Sequence, residues 1–378
     1  MKEIKFIEDV VLEGRRVLTR LDLNVPLDNN AQITDDSRIK SSLKTIRYIA
    51  DKGGKAILMS HLGRPNGERL ENMSLKPVSE ALSVNLGKNV IFAQDCVGNK
   101  VEKIIYELQN GEILLLENLR FHKAETKNDI SFSKKLAKLG DIYINDAFGT
   151  AHRSHSSTTG VPKFISESAI GFLIKKELKF LGEIVSNAEN PFLAIIGGAK
   201  VADKIKVIDK LFDKVQTLII GGGMSCTFLK AQGFDIGNSM LEKDSLNFAR
   251  EMIQKSKEKK IDLLLPNDAI IASSLDGNST RTIKLTEGVP KEWMILDIGP
   301  LTSEIFCNAI SHSKTALWNG PMGVFEIEKF SNGTFAIAKS LAKETEKGTL
   351  TIVGGGDSVS AIKKLGLSGK ISHVSTGG

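Results

Sequence analysis

Short apolar runs recur along the whole chain, and a glycine or a polar turn follows each of them. The runs lie at 55–60, 112–117, 192–196, 217–220, 262–265 and 349–353. Because the apolar residues do not alternate with polar ones, the runs predict strands that are buried on both faces, as in a parallel sheet covered by helices. Stretches with helical periodicity separate these runs from end to end. The pattern therefore predicts an α/β protein with open, doubly wound sheets.

Two of the intervening stretches have clear helical spacing. After the capping sequence at 35–37, apolar residues repeat in a 4-3-4 spacing over 39–50, and the glycine pair at 53–54 ends the segment. The same spacing over 201–215 follows the glycine pair at 197–198. Both stretches predict helices whose apolar side packs against a sheet.

A third helical stretch, at 174–185, lies near the middle of the chain and precedes the helix-breaking sequence NAENP. We interpret it as a helix that connects two lobes. The predicted domains are an N-terminal lobe at 1–172, a connecting helix at 173–186, a C-terminal lobe at 187–365 and a C-terminal segment at 366–378.

Composition narrows the functional classes. The 378 residues are enough for two or three domains. The net charge is +6, yet no dense basic tract is present and aromatic residues make up only 6%. Sites for small anions are therefore favoured over a nucleic-acid surface. The three cysteines are widely spaced, which argues against a disulfide framework and a structural zinc. The sequence shows no signal-peptide pattern and no long apolar run, so we expect a cytoplasmic protein.

An arginine accompanies each predicted strand end in the first half of the chain. The segments are RLDLN at 20–24, HLGR at 61–64, ENLRF at 117–121 and NDAFGTAHR at 145–153. Ligands of open α/β sheets bind at the carboxyl ends of the strands, and guanidinium groups match carboxylate and phosphate oxygens. A single arginine of this kind is usually a surface or salt-bridging residue. Four at successive strand ends predict a site for a small, multiply charged acid.

Glycines take the place of these arginines in the second half. The segments are GGAK at 197–200, GGGM at 221–224 and GGGDS at 354–358. Glycine turns that open a helix let backbone N–H groups approach a phosphate. Lys200 and Lys204, placed in the first turn or so of the helix after GGA, oppose the helix dipole unless an anion binds there or Asp203 compensates. Two anion sites suggest phosphoryl transfer across a cleft that closes.

Other motifs are absent or weak. The chain lacks GxxxxGK[ST], the GxGxxG continuation and the HRD and DFG segments of protein kinases. His152 and His155 have the spacing of metal ligands, but without a third ligand nearby we favour hydrogen bonding or packing. Asp357 could meet a metal ion.

The sequence resembles the phosphoglycerate kinase family over essentially its whole length. The resemblance is carried by nine segments that occur in the family's order: RLDLNVP, ITDDSRI, HLGRP, LENLRFHKAE, NDAFGTAHRSHSS, GGAKVADKI, GGGMSCTFL, LWNGPMGVFE and GGGDSVS. It implies two Rossmann-like lobes and reversible phosphoryl transfer between Mg-ATP and the carboxylate of 3-phosphoglycerate, giving 1,3-bisphosphoglycerate and Mg-ADP. It also implies a monomer.

The resemblance further implies roles for individual residues. The phosphoglycerate-binding residues would be Asp22, Asn24, Arg38, His61, Arg64, Arg120 and Arg153. The nucleotide-binding residues would be Lys200, Lys204, Gly222, Gly223, Asn319, Glu326, Gly355, Gly356, Asp357 and Ser358, with Gly222 and Gly223 beside the adenine and Asp357 toward Mg²⁺. The resemblance assigns catalytic roles to Arg38, Lys200 and Lys204.

Direct transfer to a carboxylate fits this set of residues, because an ionised acid needs no general base. Arg38 would orient the acid, and Lys204 would stabilise the transferred group. Two alternatives remain. The first is another ATP-dependent enzyme that activates a carboxylate, and a test of substrate preference would distinguish it. The second is a non-catalytic protein that binds nucleic acid, and its binding would depend steeply on salt concentration.

One departure from the family concerns the end of the chain. Family members continue for roughly twenty residues after an STGGG-type segment, whereas this sequence stops at Gly378. We therefore expect low stability or altered lobe closure in this form.

Overall fold

The structure is a computed structural model that describes residues 4–28, 30–183, 188–202, 204–276 and 279–375. The chain forms two compact units, Met1–Leu181 and Gly182–Gly378. A helix at Phe172–Leu178 and a π-helical turn at Lys179–Glu183 occupy most of the predicted connecting segment. Its end at 184–186 lies outside the described residues, as do Asp203 and the terminal 376–378, and the lobe boundaries stay a prediction.

The first unit contains a sheet of six parallel strands. They are β1 (Arg16–Leu21), β2 (Lys55–Met59), β3 (Val90–Phe92), β4 (Ile113–Leu115), β5 (Ile142–Asp146) and β6 (Glu167–Ile170). Their order is β3-β4-β2-β1-β5-β6. The helices are α1 (Ser37–Asp51), α2 (Lys76–Leu86), α3 (Asn99–Glu107), α4 (Lys123–Thr126), α5 (Ile130–Ala137) and α6 (Phe172–Leu178). The helix predicted after 35–37 is confirmed as α1.

Both faces of this sheet are buried. Along β1, Val17 belongs to one apolar core and Leu18 to the other, and Ile57 and Leu58 of β2 separate in the same way. This is the expected result for a strand whose successive side chains point to opposite faces. The strands therefore lack polar alternation because both of their faces meet helices, as the sequence predicted.

Strand β1 lies at the centre and pairs with β2 on one side and β5 on the other. All pairings in this sheet are parallel, so the carboxyl ends of the strands share one edge. The loops that leave this edge carry most of the acid-binding residues predicted from the sequence.

Asp146, at the end of β5, is a buried carboxyl group that holds the start of α6. Its Oδ1 accepts hydrogen bonds from the backbone N–H groups of Leu173 (2.8 Å) and Ile174 (3.1 Å), and its Oδ2 accepts one from the Thr45 hydroxyl (2.5 Å). Burial raises the pKa of Asp146 to about 6 despite these hydrogen bonds.

The raised pKa predicts how stability varies with pH. The Asp146 contribution is fully present below the unfolded pKa of about 3.9 and is lost as pH rises toward 6, because the folded state retains the proton longer. In Asp146→Asn the amide oxygen can still accept the two backbone bonds. We expect the variant to gain on the order of 2 kcal/mol in unfolding free energy relative to the parent between pH 4 and pH 8. Urea unfolding measures this, and Asp51→Asn, at an exposed position, should show no such gain.

The second unit contains a second sheet of six parallel strands. They are β7 (Phe192–Ile196), β8 (Thr217–Ile220), β9 (Asp262–Leu264), β13 (Thr315–Asn319), β14 (Leu350–Gly354) and β15 (His373–Val374), in the order β15-β14-β13-β7-β8-β9. The helices are α7 (Ile205–Leu211), α8 (Gly222–Ala231), α9 (Leu246–Lys259), α10 (Pro300–Ser311), α11 (Asn332–Glu346) and α12 (Gly356–Lys364). The chain reverses its direction across the sheet between β7 and β13, the place where such sheets bind ligands.

A third, antiparallel sheet in this unit was not predicted. It consists of β10 (Asp268–Ala272), β11 (Thr280–Lys284) and β12 (Met294–Ile298), in the order β11-β10-β12. Among the described residues, no helix combines the length and apolar character needed to cross a membrane.

The predicted position of Lys200 on the helix was wrong, whereas Lys204 does lie at the helix start. Helix α7 begins at Ile205, so Lys204 is its N-cap residue and Lys200 lies in the preceding loop. The Ala202 N–H donates to the Glu242 carboxylate (3.0 Å), and the Lys204 N–H donates to the Val201 carbonyl (2.8 Å). The second bond closes a turn before the helix, and the first ties that turn to Glu242. Val201 is buried in this turn, which explains why it matched the helical spacing.

Candidate active site

Gly63 ties three loops together at the carboxyl edge of the first sheet. Its N–H donates to Asn24 Oδ1 (2.8 Å), and its carbonyl accepts from Arg120 Nη1 (2.7 Å). Gly63 adopts a φ of +61°, and a Cβ there would lie 2.9 Å from the Met73 sulfur. Glycine is therefore required at the point that fixes both side chains.

Asp22 and Arg38 form an ion pair beside these loops. Arg38 Nη1 lies 2.8 Å from each carboxylate oxygen of Asp22, whose side chain is 10% exposed. The Arg38 side chain, on the first turn of α1, is 38% exposed. Asp22 therefore orients Arg38, and part of the Arg38 side chain stays accessible.

A cavity of about 280 Å³ opens beside these loops. Its lining includes three arginines and two histidines, and the full set is Arg64, Asn66, Gly67, Arg120, His122, Thr126, Arg153 and His155. The structure thus brings together three of the four strand-end arginines that the sequence singled out.

Arg120 is the most constrained of the arginines that line the cavity. It is 7% exposed, and its Nε has no hydrogen-bond partner. Burial lowers the pKa of Arg120 to about 10, and Arg153, Arg20 and Arg64 add to the effect while Glu125 opposes it. A buried guanidinium donor without an acceptor is costly, so the cavity has the electrostatics of a site that binds an anion.

His61 lies among the same guanidinium groups but is not part of the cavity lining. It is 3% exposed, and its Nδ1 lies 3.0 Å from Arg20 Nη2. Burial lowers the pKa of His61 well below its usual range, and Arg20, Arg120, Arg153 and Arg38 lower it further. The imidazole is therefore neutral at physiological pH.

The two histidines with metal-like spacing have different surroundings. His152 is exposed and accepts from Arg153 Nε (3.4 Å). His155 lines the cavity, its Nδ1 has no hydrogen-bond partner, and it lies 3.9 Å from Glu125 Oε1. Burial lowers the pKa of His155 to about 4, with further contributions led by Arg120 and Arg153.

One cluster could hold a metal by its ligand types. Donor atoms of Asp95, Cys96 and His122 lie within 4.8 Å of one another. The Asp95 carboxylate already pairs with His122 Nε2 (2.8 Å) and accepts from the Cys96 N–H (2.7 Å), and Arg69 adds positive charge. The arrangement favours a hydrogen-bonded cluster over a cation site. All three cysteines of the chain are free.

In the second unit, three of the predicted nucleotide residues converge where the sheet reverses. Lys204 Nζ donates to Asn319 Oδ1 at 2.5 Å. A Cβ built at Gly355, which has a φ of +87°, would lie 3.1 Å from that same oxygen. Gly355 is also the N-cap residue of α12, so the lysine lies close to the positive end of this helix.

Ser358 links helix α12 to the end of strand β13 in the interior of the unit. It is fully buried, and its Oγ accepts from the Gly320 N–H at 2.6 Å. This hydrogen bond fixes the first turn of α12 against the end of β13. Ser358 therefore has a structural role that the sequence did not reveal.

The glycine turns are packed against each other. At Gly222, which has a φ of +64°, a Cβ would lie 2.6 Å from both the Gly198 nitrogen and the Pro321 oxygen. At Gly223 a Cβ would meet only ordinary contacts, from Ala199 at 3.4 Å and the exposed Met240 at 3.5 Å. Gly222 thus serves close packing of loops, whereas the surroundings of Gly223 leave room at the surface.

The remaining predicted residues of this unit are exposed. They are Lys200, Glu326, Gly356 and Asp357. Within the described part of the chain, the charged groups of Lys200, Glu326 and Asp357 make no hydrogen bond or ion pair with one another or with other side chains, so they are accessible to a ligand.

An arginine-lined cavity on one parallel α/β unit and a lysine at a glycine-rich sheet edge on another are features expected of a small-molecule kinase. Comparisons with known proteins give the family. A family model described as "Phosphoglycerate kinase" matches residues 7–378. The chain belongs to the phosphoglycerate kinase family, and it transfers a phosphoryl group reversibly between ATP and the carboxylate of 3-phosphoglycerate.

Individual relatives agree with this assignment. The phosphoglycerate kinase of Chlorobium phaeobacteroides (strain BS1) is 52% identical over 376 residues, which cover 100% of this chain and 95% of that protein. One from Clostridium botulinum (strain Hall) is 51% identical over 99% of this chain and 94% of that protein. The solved phosphoglycerate kinase of Coxiella burnetii has a TM-score of 0.82 and 38% identity, over 100% of this chain and 94% of that chain. The one from Pyrococcus horikoshii OT3 has a TM-score of 0.84 and 32% identity, over 99% of this chain and 94% of that chain.

Sequence reasoning misplaced Arg20 and did not single out Glu125 or Ser157. Arg20 is inside β1, not after it, and its guanidinium group is fully buried. Glu125 and Ser157 are buried beside it. All three lie in segments that carried the resemblance, but only the three-dimensional contacts distinguish them from their neighbours.

Proposed function

We propose that the first unit binds 3-phosphoglycerate in the arginine-lined cavity and that the second binds the nucleotide at the edge formed by β7, β13 and β14. The observation that carries the first assignment is Arg120, a buried guanidinium with an unpartnered Nε. An acid with a phosphate and a carboxylate supplies oxygens for this group and for Arg64 and Arg153. His61, Asn24 and the Asp22–Arg38 pair complete the proposed site.

The proposed chemistry needs no protein nucleophile. The substrate carboxylate is ionised at neutral pH and attacks the terminal phosphorus of ATP directly, so the oxygen–phosphorus bond to ADP breaks as the acyl phosphate forms. Arg38, held by Asp22, orients the carboxylate. Lys204, held by Asn319, neutralises charge on the transferred group, and Lys200 assists from the adjoining loop.

Magnesium is proposed as the cofactor, with Asp357 as its protein ligand. Asp357 is an exposed carboxylate in the first turn of α12, and Mg²⁺ prefers one or two carboxylates together with phosphate oxygens. The ion would supply charge neutralisation on the nucleotide phosphates. Gly355 and Gly356 offer the N-terminus of α12 to the same phosphates, and the buried Ser358 holds this turn in place. Gly223 offers a surface for adenine beside the packed Gly222, and Glu326 offers a contact to the nucleotide.

The assignment of the acid site is tested by Arg64→Ala. Arg64 is exposed at the cavity, and removing its charge should raise the KM for 3-phosphoglycerate about tenfold while changing the KM for ATP less than twofold. Steady-state kinetics with each substrate varied in turn measure both values. Arg47→Ala, on α1, is the matched control, since Arg47 is also exposed and its hydrogen bond goes to the Asn85 carbonyl, outside the cavity lining. An effect confined to the ATP KM would contradict the assignment.

Asp357→Asn tests the metal site. The variant keeps the shape of the side chain but loses its charge. The Mg²⁺ concentration for half-maximal activity should therefore rise several-fold, which corresponds to a loss of about 1 kcal/mol in binding free energy. Excess Mg²⁺ should then restore much of the rate. Asp244→Asn, at another exposed acid of the unit, should behave like the parent. An unchanged Mg²⁺ requirement would remove Asp357 from this role.

A coupled assay measures the preference for 3-phosphoglycerate over other acids. ATP consumption with 3-phosphoglycerate and Mg²⁺ should greatly exceed that with 2-phosphoglycerate, in which the phosphate lies beside the carboxylate. Equal rates would favour a broader carboxylate-activating enzyme. We also propose that the chain acts as a monomer in the cytoplasm, which size-exclusion chromatography with light scattering and cell fractionation test.

A further inference from the structure

A chain of buried hydrogen bonds runs from Glu125 toward the proposed acid site. The Glu125 carboxylate is 0% exposed and accepts twice from Ser157, from the hydroxyl at 2.6 Å and from the backbone N–H at 3.0 Å. The carbonyl of Ser157 accepts from the Tyr143 hydroxyl at 2.8 Å. Ser157 is therefore held through its backbone N–H, its backbone carbonyl and its side-chain hydroxyl.

The direction of this chain is determined by its donors. Ser157 Oγ gives its hydrogen to Glu125, so it can only accept from Arg20 Nε, which lies 2.9 Å away. A guanidinium group has donors and no acceptor. Arg20 also donates through Nη1 to the Leu21 carbonyl. Its remaining nitrogen, Nη2, lies 3.0 Å from His61 Nδ1, which must act as the acceptor.

This contact determines the tautomer of His61. A neutral imidazole that accepts at Nδ1 carries its hydrogen on Nε2. None of the described residues accepts a hydrogen bond from that Nε2. The Nε2–H group is thus available as a donor, and it lies among the guanidinium groups that the proposed function assigns to the acid substrate.

Charge makes Glu125 the essential member. Arg20 is completely buried, and Arg120 and Arg153 are close enough to depress the pKa of the neighbouring His61. Within this group Glu125 is the carboxylate that reaches Arg20, through a single hydroxyl. A buried guanidinium without a nearby carboxylate is unfavourable, so loss of Glu125 should loosen Arg20 and release His61.

We propose that Glu125 is a positioning residue that, through Ser157 and Arg20, holds His61 as a neutral Nε2–H donor to an oxygen of the acid substrate. The inference rests on the proposed acid site in the first unit. It assigns the buried Glu125 and Ser157 to substrate binding, although neither lines the cavity.

The first test uses the unmodified protein. Nitrogen-15 NMR of the imidazole rings, without substrate at pH 7, should show His61 with a hydrogen on Nε2 and an unprotonated, hydrogen-bonded Nδ1. His61→Gln assigns the signal. A His61 ring that carries its hydrogen on Nδ1, or one that is doubly protonated, would overturn the proposal, and this result does not depend on where the substrate binds.

The second test compares two serines. Ser157→Ala should raise the KM for 3-phosphoglycerate about tenfold, with less than twofold change in the KM for ATP, and should alter the His61 signal. Ser133→Ala removes an equally buried hydroxyl of the same unit, one that bonds to the Asp129 carbonyl, and should do neither. Glu125→Gln removes the charge and leaves one acceptor oxygen where two accept from Ser157, so it should raise the KM for 3-phosphoglycerate at least as much as Ser157→Ala.

The outcomes separate this inference from the function on which it rests. If Arg64→Ala weakens 3-phosphoglycerate binding but Ser157→Ala behaves like Ser133→Ala, the positioning role of Glu125 is refuted and the acid site stands. If neither Arg64→Ala nor Ser157→Ala affects 3-phosphoglycerate, the acid site itself is refuted. Should Ser157→Ala fail to fold, the NMR result on the unmodified protein still decides the tautomer.

Discussion

Lys204→Ala should lower kcat by ~10²–10³-fold while the KM for either substrate changes only a few-fold. The lysine is held by Asn319 at 2.5 Å and lies close to Gly355 at the start of α12, so its charge is fixed before the substrate arrives. A fixed charge stabilises the transferred group most strongly when negative charge is redistributed in the transition state. Removing it therefore affects turnover more than binding.

Steady-state kinetics in both reaction directions measure this effect. Lys206→Ala is the matched control, because Lys206 is an exposed lysine two residues further along the same helix. It should retain nearly the parental kcat. A Lys204→Ala variant with near-normal turnover, or one that differs only in the ATP KM, would show that Lys204 does not stabilise the transition state.

Arg120→Ala should raise the KM for 3-phosphoglycerate on the order of 100-fold. Arg120 is buried beside the cavity, its Nε lacks an acceptor, and its charge is destabilised by Arg153 and Arg20. A bound acid supplies negative charge to this buried cluster of guanidinium groups. The gain on binding is therefore larger for Arg120 than for the exposed Arg64.

Arg120→Lys separates charge from geometry. Lysine keeps the positive charge but cannot donate both to the Gly63 carbonyl and to a substrate through a planar fork. We expect it to restore less than half of the lost binding free energy, measured by calorimetric titration with 3-phosphoglycerate. A parental Kd in Arg120→Ala would refute the role of the cavity in acid binding.

The sequence was sufficient for the parallel sheets and for the grouping of three arginines at the candidate acid site. Strands such as β2 and β7 lack polar alternation because helices cover both sheet faces, so their pattern identified the architecture directly. Arg64, Arg120 and Arg153 follow strand ends, and the geometry of parallel sheets brings such residues together. The nucleotide-binding roles of Lys204 and Asn319 are predictions from the family resemblance, and the two side chains are in contact.

Other features depend on contacts that local patterns do not contain. Strand β11 is mostly exposed and polar, so it has no apolar run, and its pairing with β10 defines the unpredicted antiparallel sheet. Arg20 looked like the other strand-end arginines. Its different role comes from Ser157 and from Glu125, which are more than 100 residues away in the chain.

The central position of β1 also has a consequence for biosynthesis. Its partner β2 follows soon, but β5, which completes the other side, comes about 125 residues later. At ~5–20 residues per second, a ribosome needs roughly 6–25 s to make that stretch. During this interval the side of β1 that later pairs with β5 has no strand partner. We expect association with another chain at this side to block the pairing of β5. Slow codons between β2 and β5 should therefore reduce the yield of folded protein more than slow codons after β6.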